Sequence, residues 1–318
     1  MQKANRNANR EVTPANLQSY HQGGFGVGER YAYIGFSENR YFTSDRSIKC
    51  DENFNRADGK PLKGYGLEIE TGWSLQNGSS AAYHALANIF TTAIFPIFPD
   101  HLFKQQMDST ITGTECITQV MTKEFIRNHY KDFKTMYNEL FPLFGIKCDD
   151  GKCGMHVNIS TGLLGTTDKV KEDSVRKLYY IINKHYDFFK IALYRTGSTR
   201  WCGQMSYMNA RTMNVHNMDS SHGNCFNGSH FDAGRIEIRL VGGQKNFACF
   251  RNTMEVIFHI VGAVKSLSWK QCDDLVEIFK GCNQYVFDRI NSKCKSAGTI
   301  TDEQCAAIAA TVIREELI

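Results

Sequence analysis

Apolar and polar positions alternate most sharply in residues 154–160, where Met155, Val157 and Ile159 interleave with His156, Asn158 and Ser160. Successive side chains of a strand leave opposite faces of a sheet, so this spacing predicts a strand with a core face and a face rich in ligand chemistry. Two further stretches keep the same period. Residues 66–70 put Glu68 and Glu70 on one side and Leu67 and Ile69 on the other, and residues 235–239 set Glu237 between Arg235 and Arg239, with Ile236 and Ile238 opposite. We expect the three to be strands of one sheet whose polar positions line a common site.

Elsewhere the period is helical. Residues 81–90 follow the capping pair Ser79 and Ser80 and stop before Pro96 and Pro99, residues 123–140 follow Thr122, and residues 169–194 carry an apolar stripe through Leu178, Ile181, Ile182 and Phe189. Helices are also expected over 247–266, 268–290 and 301–317, the last opened by a capping-box pair, Thr301 and Gln304. A β-branched run at 111–118 reads as a further strand and carries Glu115. The Gly-, Asn- and Ser-rich interval 195–234 is long for a connection. Within it, 205–210 is expected as a strand and 215–228 as a flexible flap.

Residues 1–63 are expected to form an N-terminal extension, either a small β element or a partly disordered arm, with strand-like pieces at 30–36 and 41–43. Residues 58–61 then link it to a main domain over 64–318. Strands and helices do not alternate in the βαβ manner, and one-sided strands suit an antiparallel sheet with helices on its apolar face. This is an α+β fold class, and it leaves the polar face free to floor a cleft.

Composition adds little that conflicts. The 318 residues are 42% hydrophobic and 22% charged, as in an ordinary folded protein. A formal charge of +4, with no long Lys/Arg run, does not favour nucleic-acid binding. No apolar stretch is long enough to span a bilayer and the first residues lack the apolar core of a secretory signal, so a soluble, cytoplasmic protein is expected. Eleven dispersed cysteines fit reduced thiols. Cys148 and Cys153 are the closest pair, and without further ligands a turn carrying two thiols is preferred over a zinc or redox site.

The polar positions carry the chemistry. Glu68 and Glu70 on one face repel unless a cation lies between them, so they are candidates for a hard divalent metal, with an ordinary wet strand as the alternative. His156 alone would more often be a structural histidine, but in the company of carboxylates and guanidiniums it is a candidate ligand. Metal ligands and Arg residues on one surface suggest phosphoryl chemistry. There is no Walker motif, and residues 64–66, Gly-Tyr-Gly, are too short for a phosphate cradle. Arg195, Arg200 and Arg211, with Tyr207 and Asn209, could reach phosphates or a substrate carboxylate or could belong to a solvated loop. Lys245 and Asn246 are a similar case.

The order of these pieces resembles the amidoligase family, within the carboxylate-amine ligases related to glutamine synthetase and γ-glutamylcysteine synthetase. The matching residues are 66–70, then Asp108-Ser109-Thr110 and 113–118, then 154–158, then 235–239. The resemblance implies a glutamine-synthetase-like catalytic fold, a curved antiparallel sheet with ATP and Mg²⁺ or Mn²⁺ on its concave side and helices on the convex one. It implies Glu68, Glu70, Glu115, His156 and Glu237 as metal ligands, and Arg239, Arg235 and Asp108 as catalytic residues. Arg239, Arg200, Arg211 and Lys245 would bind the nucleotide. The implied reaction joins a small-molecule or peptide carboxylate to an amine through an acyl phosphate. A metal- and ATP-dependent phosphotransferase and a catalytically silent binding protein are the alternatives. Substrate identity and oligomeric state are not legible.

Overall fold

The computed structural model describes residues 38–44, 46–51, 56–73, 86–106, 113–148, 153–195, 200, 202–218, 221 and 223–314. The predicted strand at 30–36, the Ser79-Ser80 cap, the Asp108-Ser109-Thr110 turn and the link between Cys148 and Cys153 lie outside them. The chain forms two compact units. One comprises Met1–Lys60, Gly66–Cys153 and Lys245–Phe247; the other comprises Pro61–Tyr65, Gly154–Gln244 and Ala248–Ile318.

In the first unit the strands are β1 (Arg40–Phe42), β2 (Ser47–Lys49), β3 (Tyr65–Trp73, less its first residue), β4 (Phe103–Gln106), β5 (Gly113–Thr118), β6 (Val120–Met121) and β7 (Ile146–Lys147). Their order is β2-β1-β6-β3, with β5 and β7 also paired to β3 and β4 paired to β5. β1 and β6 run parallel, so the sheet is mixed rather than purely antiparallel as expected. Parallel neighbours need a long crossover, and the four strands that separate β1 from β6 supply one. Leu67, Ile69 and Cys116 fill the apolar face and are buried. Helices α1 (Lys123–Asn128) and α2 (Tyr130–Thr135) belong to this unit. Thr122 caps α1 as expected, its side chain accepting from the Phe125 amide. Phe125 meets Phe42 of β1 at 5.2 Å between ring centroids, so α1 is seated against the sheet by aromatic contact.

In the second unit β8 (Met155–Ser160) pairs antiparallel with β10 (Arg235–Ile238), which pairs antiparallel with β9 (Phe226–Asn227). Met155, Val157, Ile159, Ile236, Ile238 and Phe226 are fully buried on one face. The long helix α3 (Asp168–Lys184) lies over it, Tyr179 meeting Phe226 edge-on at 5.7 Å. α4 (Tyr186–Ala192) and α5 (Phe247–Ala263) follow, then α6 (Leu275–Phe279), α7 (Gln284–Arg289) and α8 (Asp302–Ala309). The architecture is α+β. Among the described residues, no helix is long and apolar enough to cross a membrane.

Several expected elements differ. The helix predicted over 169–194 breaks at His185, whose backbone leaves the helical region. The one predicted over 268–290 is two short helices, each with its own Asp or Asn cap: Asp274 accepts from the Val276 amide and Asn283 from the Val286 amide. Gly281, at φ +69, supplies the left-handed turn between them that residues with a Cβ rarely adopt. The capping box at Thr301 and Gln304 is present, but α8 ends at Ala309.

Residues 205–210 do not form a strand. Helix side chains take the ladder's place: the Met205 amide donates to Asn183 Oδ1 at 2.7 Å, Gln204 Nε2 donates to the Asn183 carbonyl at 2.6 Å, and Tyr179 Oη donates to the Ser206 carbonyl at 2.5 Å. The predicted flap 215–228 contains β9 instead, with Cys225, Phe226 and Asn227 buried.

Just before β9, His216 straps this segment to α3. Its Nδ1 lies 2.5 Å from Asp232 Oδ1 and its Nε2 3.6 Å from Glu172 Oε1, while Arg176 Nε donates to the Met213 carbonyl at 2.7 Å. The Asp232 hydrogen bond is the main cause that raises the His216 pKa above its ordinary value, followed by the opposing effect of burial and then by the charges of Asp232 and Glu172. A raised folded-state value means that the strap's contribution is full below the unfolded value of about 6.5 and is lost as pH rises through the folded one. We expect His216→Ala to lose stability at pH 5.5 and little at pH 9. A difference that is the same at both pH values in urea melts would refute this.

Candidate metal centre

Strand register brings the carboxylates of the first unit together. Glu70 stands directly opposite Glu115, and Glu68 opposite Ile117, so Glu68, Glu70 and Glu115 share one face of β3 and β5. Glu70 and Glu115 are buried and Glu68 is half-buried. The polar face is therefore not the open floor expected from the alternation. Like charges directly opposite each other are destabilising, and low exposure sharpens the repulsion, which a cation would relieve. On β4, Lys104 stands opposite Ile117 and so joins the same face. The sequence reading missed it because β4 shows no two-residue alternation.

In the second unit β8 and β10 set their polar positions opposite each other, Arg235 across from Ser160 and Glu237 across from Asn158. Arg235 Nη1 donates to Asn158 Oδ1 at 2.6 Å. Glu237, 4% exposed, is held on both oxygens: Oε1 accepts from Arg239 Nη1 at 2.8 Å and lies 3.2 Å from His156 Nδ1, and Oε2 accepts from Asn227 Nδ2 at 3.0 Å. Buried charges persist where they are paired and hydrogen-bonded in this way. Arg239 Nε is buried and finds no partner among the described residues. Asn227, which the sequence reading also missed, faces Glu237 because β9 pairs with β10 in that register. Its one visible signal was the turn-prone Asn227-Gly228-Ser229.

Glu68 and Glu115 in the first unit and His156 in the second each offer a ligand atom of the kind that holds a metal ion. Two carboxylate oxygens and an imidazole nitrogen suit a divalent cation of hard or borderline character, such as Mg²⁺ or Mn²⁺. Within the first unit Glu70 stands across from Glu115, and within the second Glu237 touches His156. An acceptor of this kind on the second nitrogen of a ligating histidine orients the ring and raises its basicity.

Asp108 lies outside the described residues. Arg200 and Lys245 are exposed. Arg211 lies over the Trp269 ring at 5.3 Å, and Tyr207 meets Tyr180 edge-on at 5.6 Å, so these two have aromatic contacts of their own. Arg195 is buried and its Nη1 donates to the Val241 carbonyl at 3.2 Å. Cys148 and Cys153 are buried, and they belong to no metal-ligand group among the described residues. Protein-family models and curated proteins yield no match to this chain.

Proposed function

We propose that the protein is an ATP-dependent carboxylate-amine ligase that works with Mg²⁺ or Mn²⁺ held by Glu68, Glu115 and His156. The observation that carries this reading is the acidic face of the first unit, where Glu68, Glu70 and Glu115 share one side of β3 and β5. Its support lies in the second unit, where His156 touches Glu237, and Arg239, tied to Glu237 through one Nη, keeps a buried Nε without a partner among the described residues.

When bound, the cation would neutralise the polyphosphate and the phosphoryl group in transfer. The protein's own groups supply position and charge. Arg239 offers a fixed, half-buried guanidinium to the transferring phosphoryl group, and Arg235, held by Asn158, lies four residues before it. A substrate carboxylate oxygen attacks the γ-phosphorus and ADP leaves. An amine nitrogen then attacks the acyl carbon, phosphate departs, and the nitrogen gives up a proton as the amide forms. Glu70 completes the acidic face, and Lys104 stands on the same face.

The test is incubation with ATP, Mg²⁺ and mixed carboxylates and amines, followed by mass spectrometry. The expected product is lighter by one water than the sum of an acid and an amine, with phosphate released in equal amount. A stable phosphorylated product would replace the reading with a phosphotransferase, and the absence of any ATP-dependent product would leave a binding protein. Glu237→Gln keeps the shape of the group that touches His156 and removes its charge. We expect Mn²⁺ affinity to fall roughly 10- to 100-fold without loss of fold. Titration calorimetry showing unchanged affinity would mean that Glu237 does not orient the ligand.

A further inference from the structure

The geometry points to Asn227 and Ser229 as positioning residues that set the tautomer of His156 through Glu237. This rests on the metal reading above, and it concerns residues outside the proposed ligand set.

Asn227 has a carbonyl oxygen that only accepts and an amino group that only donates. Its Oδ1 accepts from the Ser229 amide at 3.0 Å and from Ser229 Oγ at 2.8 Å. With the oxygen doubly committed to its own turn, the amide cannot flip, and Nδ2 is the group aimed at Glu237 Oε2. Arg239 Nη1, which also can only donate, occupies Glu237 Oε1. Both carboxylate oxygens thus receive donors, so Glu237 acts as an acceptor at each. The proton in the 3.2 Å contact between Glu237 Oε1 and His156 Nδ1 then belongs to the imidazole. A neutral ring with its proton on Nδ1 presents a lone pair at Nε2, the form that ligates a cation.

A chain of oriented groups therefore runs from the Ser229 turn through Asn227 and Glu237 to His156. Without Asn227, Glu237 Oε2 loses the donor that holds the carboxylate plane, and the ring loses the fixed acceptor that selects its tautomer. Asn227 is 6% exposed, and its segment is seated independently by the Phe226 core position, so the side chain can be changed while β9 stays anchored.

The experiment uses the full chain with ¹⁵N-labelled histidine, free of metal, and reads the His156 tautomer from long-range proton–nitrogen correlations, assigned with His156→Ala. The wild type is expected to carry the proton on Nδ1. Asn227→Ala is expected to show a mixture of both tautomers, and Ser229→Ala, which keeps the Ser229 amide, a smaller change. Mn²⁺ affinity by titration calorimetry should fall about tenfold in Asn227→Ala and less in Ser229→Ala, while the melting temperature of Ser229→Ala stays near that of the wild type. The inference is overturned if the wild type carries its proton on Nε2, or if both variants keep its tautomer. It is equally overturned if the wild type binds Mn²⁺ and Asn227→Ala binds it as tightly. Failure of the wild type to bind Mn²⁺ would sink the metal reading instead, and the metal-free tautomer result would still decide the role of Asn227.

Discussion

Glu115→Gln is expected to lose metal affinity and gain stability in the metal-free state. Glutamine keeps the size of the side chain but offers a neutral carbonyl oxygen where the proposed cation would need an anionic one. The fall in Mn²⁺ affinity should exceed the roughly 10- to 100-fold typical of an outer partner. The opposite sign for stability comes from register, because Glu70 stands directly across from Glu115 and both are buried. Removing one of two opposed like charges should stabilise the metal-free protein by about 1 kcal/mol at neutral pH. Glu68→Gln is expected to lose metal affinity with less gain, since its cross-strand neighbour is Ile117. ATP turnover should be lost in both variants. Calorimetric titration and metal-free urea melts check the pair of effects. Unchanged affinity in both variants would remove the metal centre, and a destabilised metal-free Glu115→Gln would remove the repulsion argument.

Gly242→Ala is expected to cost more than about 3 kcal/mol, beyond the usual range for an overpacked site. A Cβ at Gly242 would lie 2.1 Å from the Tyr194 carbonyl oxygen and 2.9 Å from Arg195 Cα. These are backbone atoms and cannot rotate aside. The Gly242 amide donates to the Leu193 carbonyl at 2.9 Å, and Gly242 pairs with Gly154 just ahead of β8, so three chain segments meet where no side chain fits. Tyr194 itself holds φ +60, with the Arg289 guanidinium 3.4 Å over its ring, which leaves it little freedom to yield. Because Gly154 lies two residues before His156, the loss should extend to the site. Gly234→Ala is the comparison: its φ is +80 but its Cβ would meet open space, so the cost should be about 1–2 kcal/mol of backbone conformation. Equal urea midpoints for Gly242→Ala and wild type would refute the close approach.

Much of the fold could be read from periodicity. The alternation around Leu67, Val157 and Ile236 named three strands and their core faces, and Thr122 and Thr301 marked two helix starts. The misreadings had physical causes. The pattern at 205–210 was taken for a strand, but Asn183 and Tyr179 of α3 satisfy that backbone instead. Gly281 and Asn283 were visible break signals inside a predicted helix, and the apolar stripe around them outweighed signals whose meaning is local. β9 is two residues long and β4 carries Lys and Gln, so neither shows a two-residue period from which to infer a strand.

The candidate site divides along the same line. Which side chains share a face of one strand is a matter of local geometry, so Glu68 beside Glu70, His156 beside Asn158 and Arg235 beside Glu237 were fixed by the chain itself. Which strands become neighbours, and in which register, depends on hydrogen bonds between residues far apart in sequence. Only the folded protein could therefore set Glu115 against Glu70, give Glu237 to His156, and bring a buried Asn227 from a predicted flap to hold that carboxylate in place.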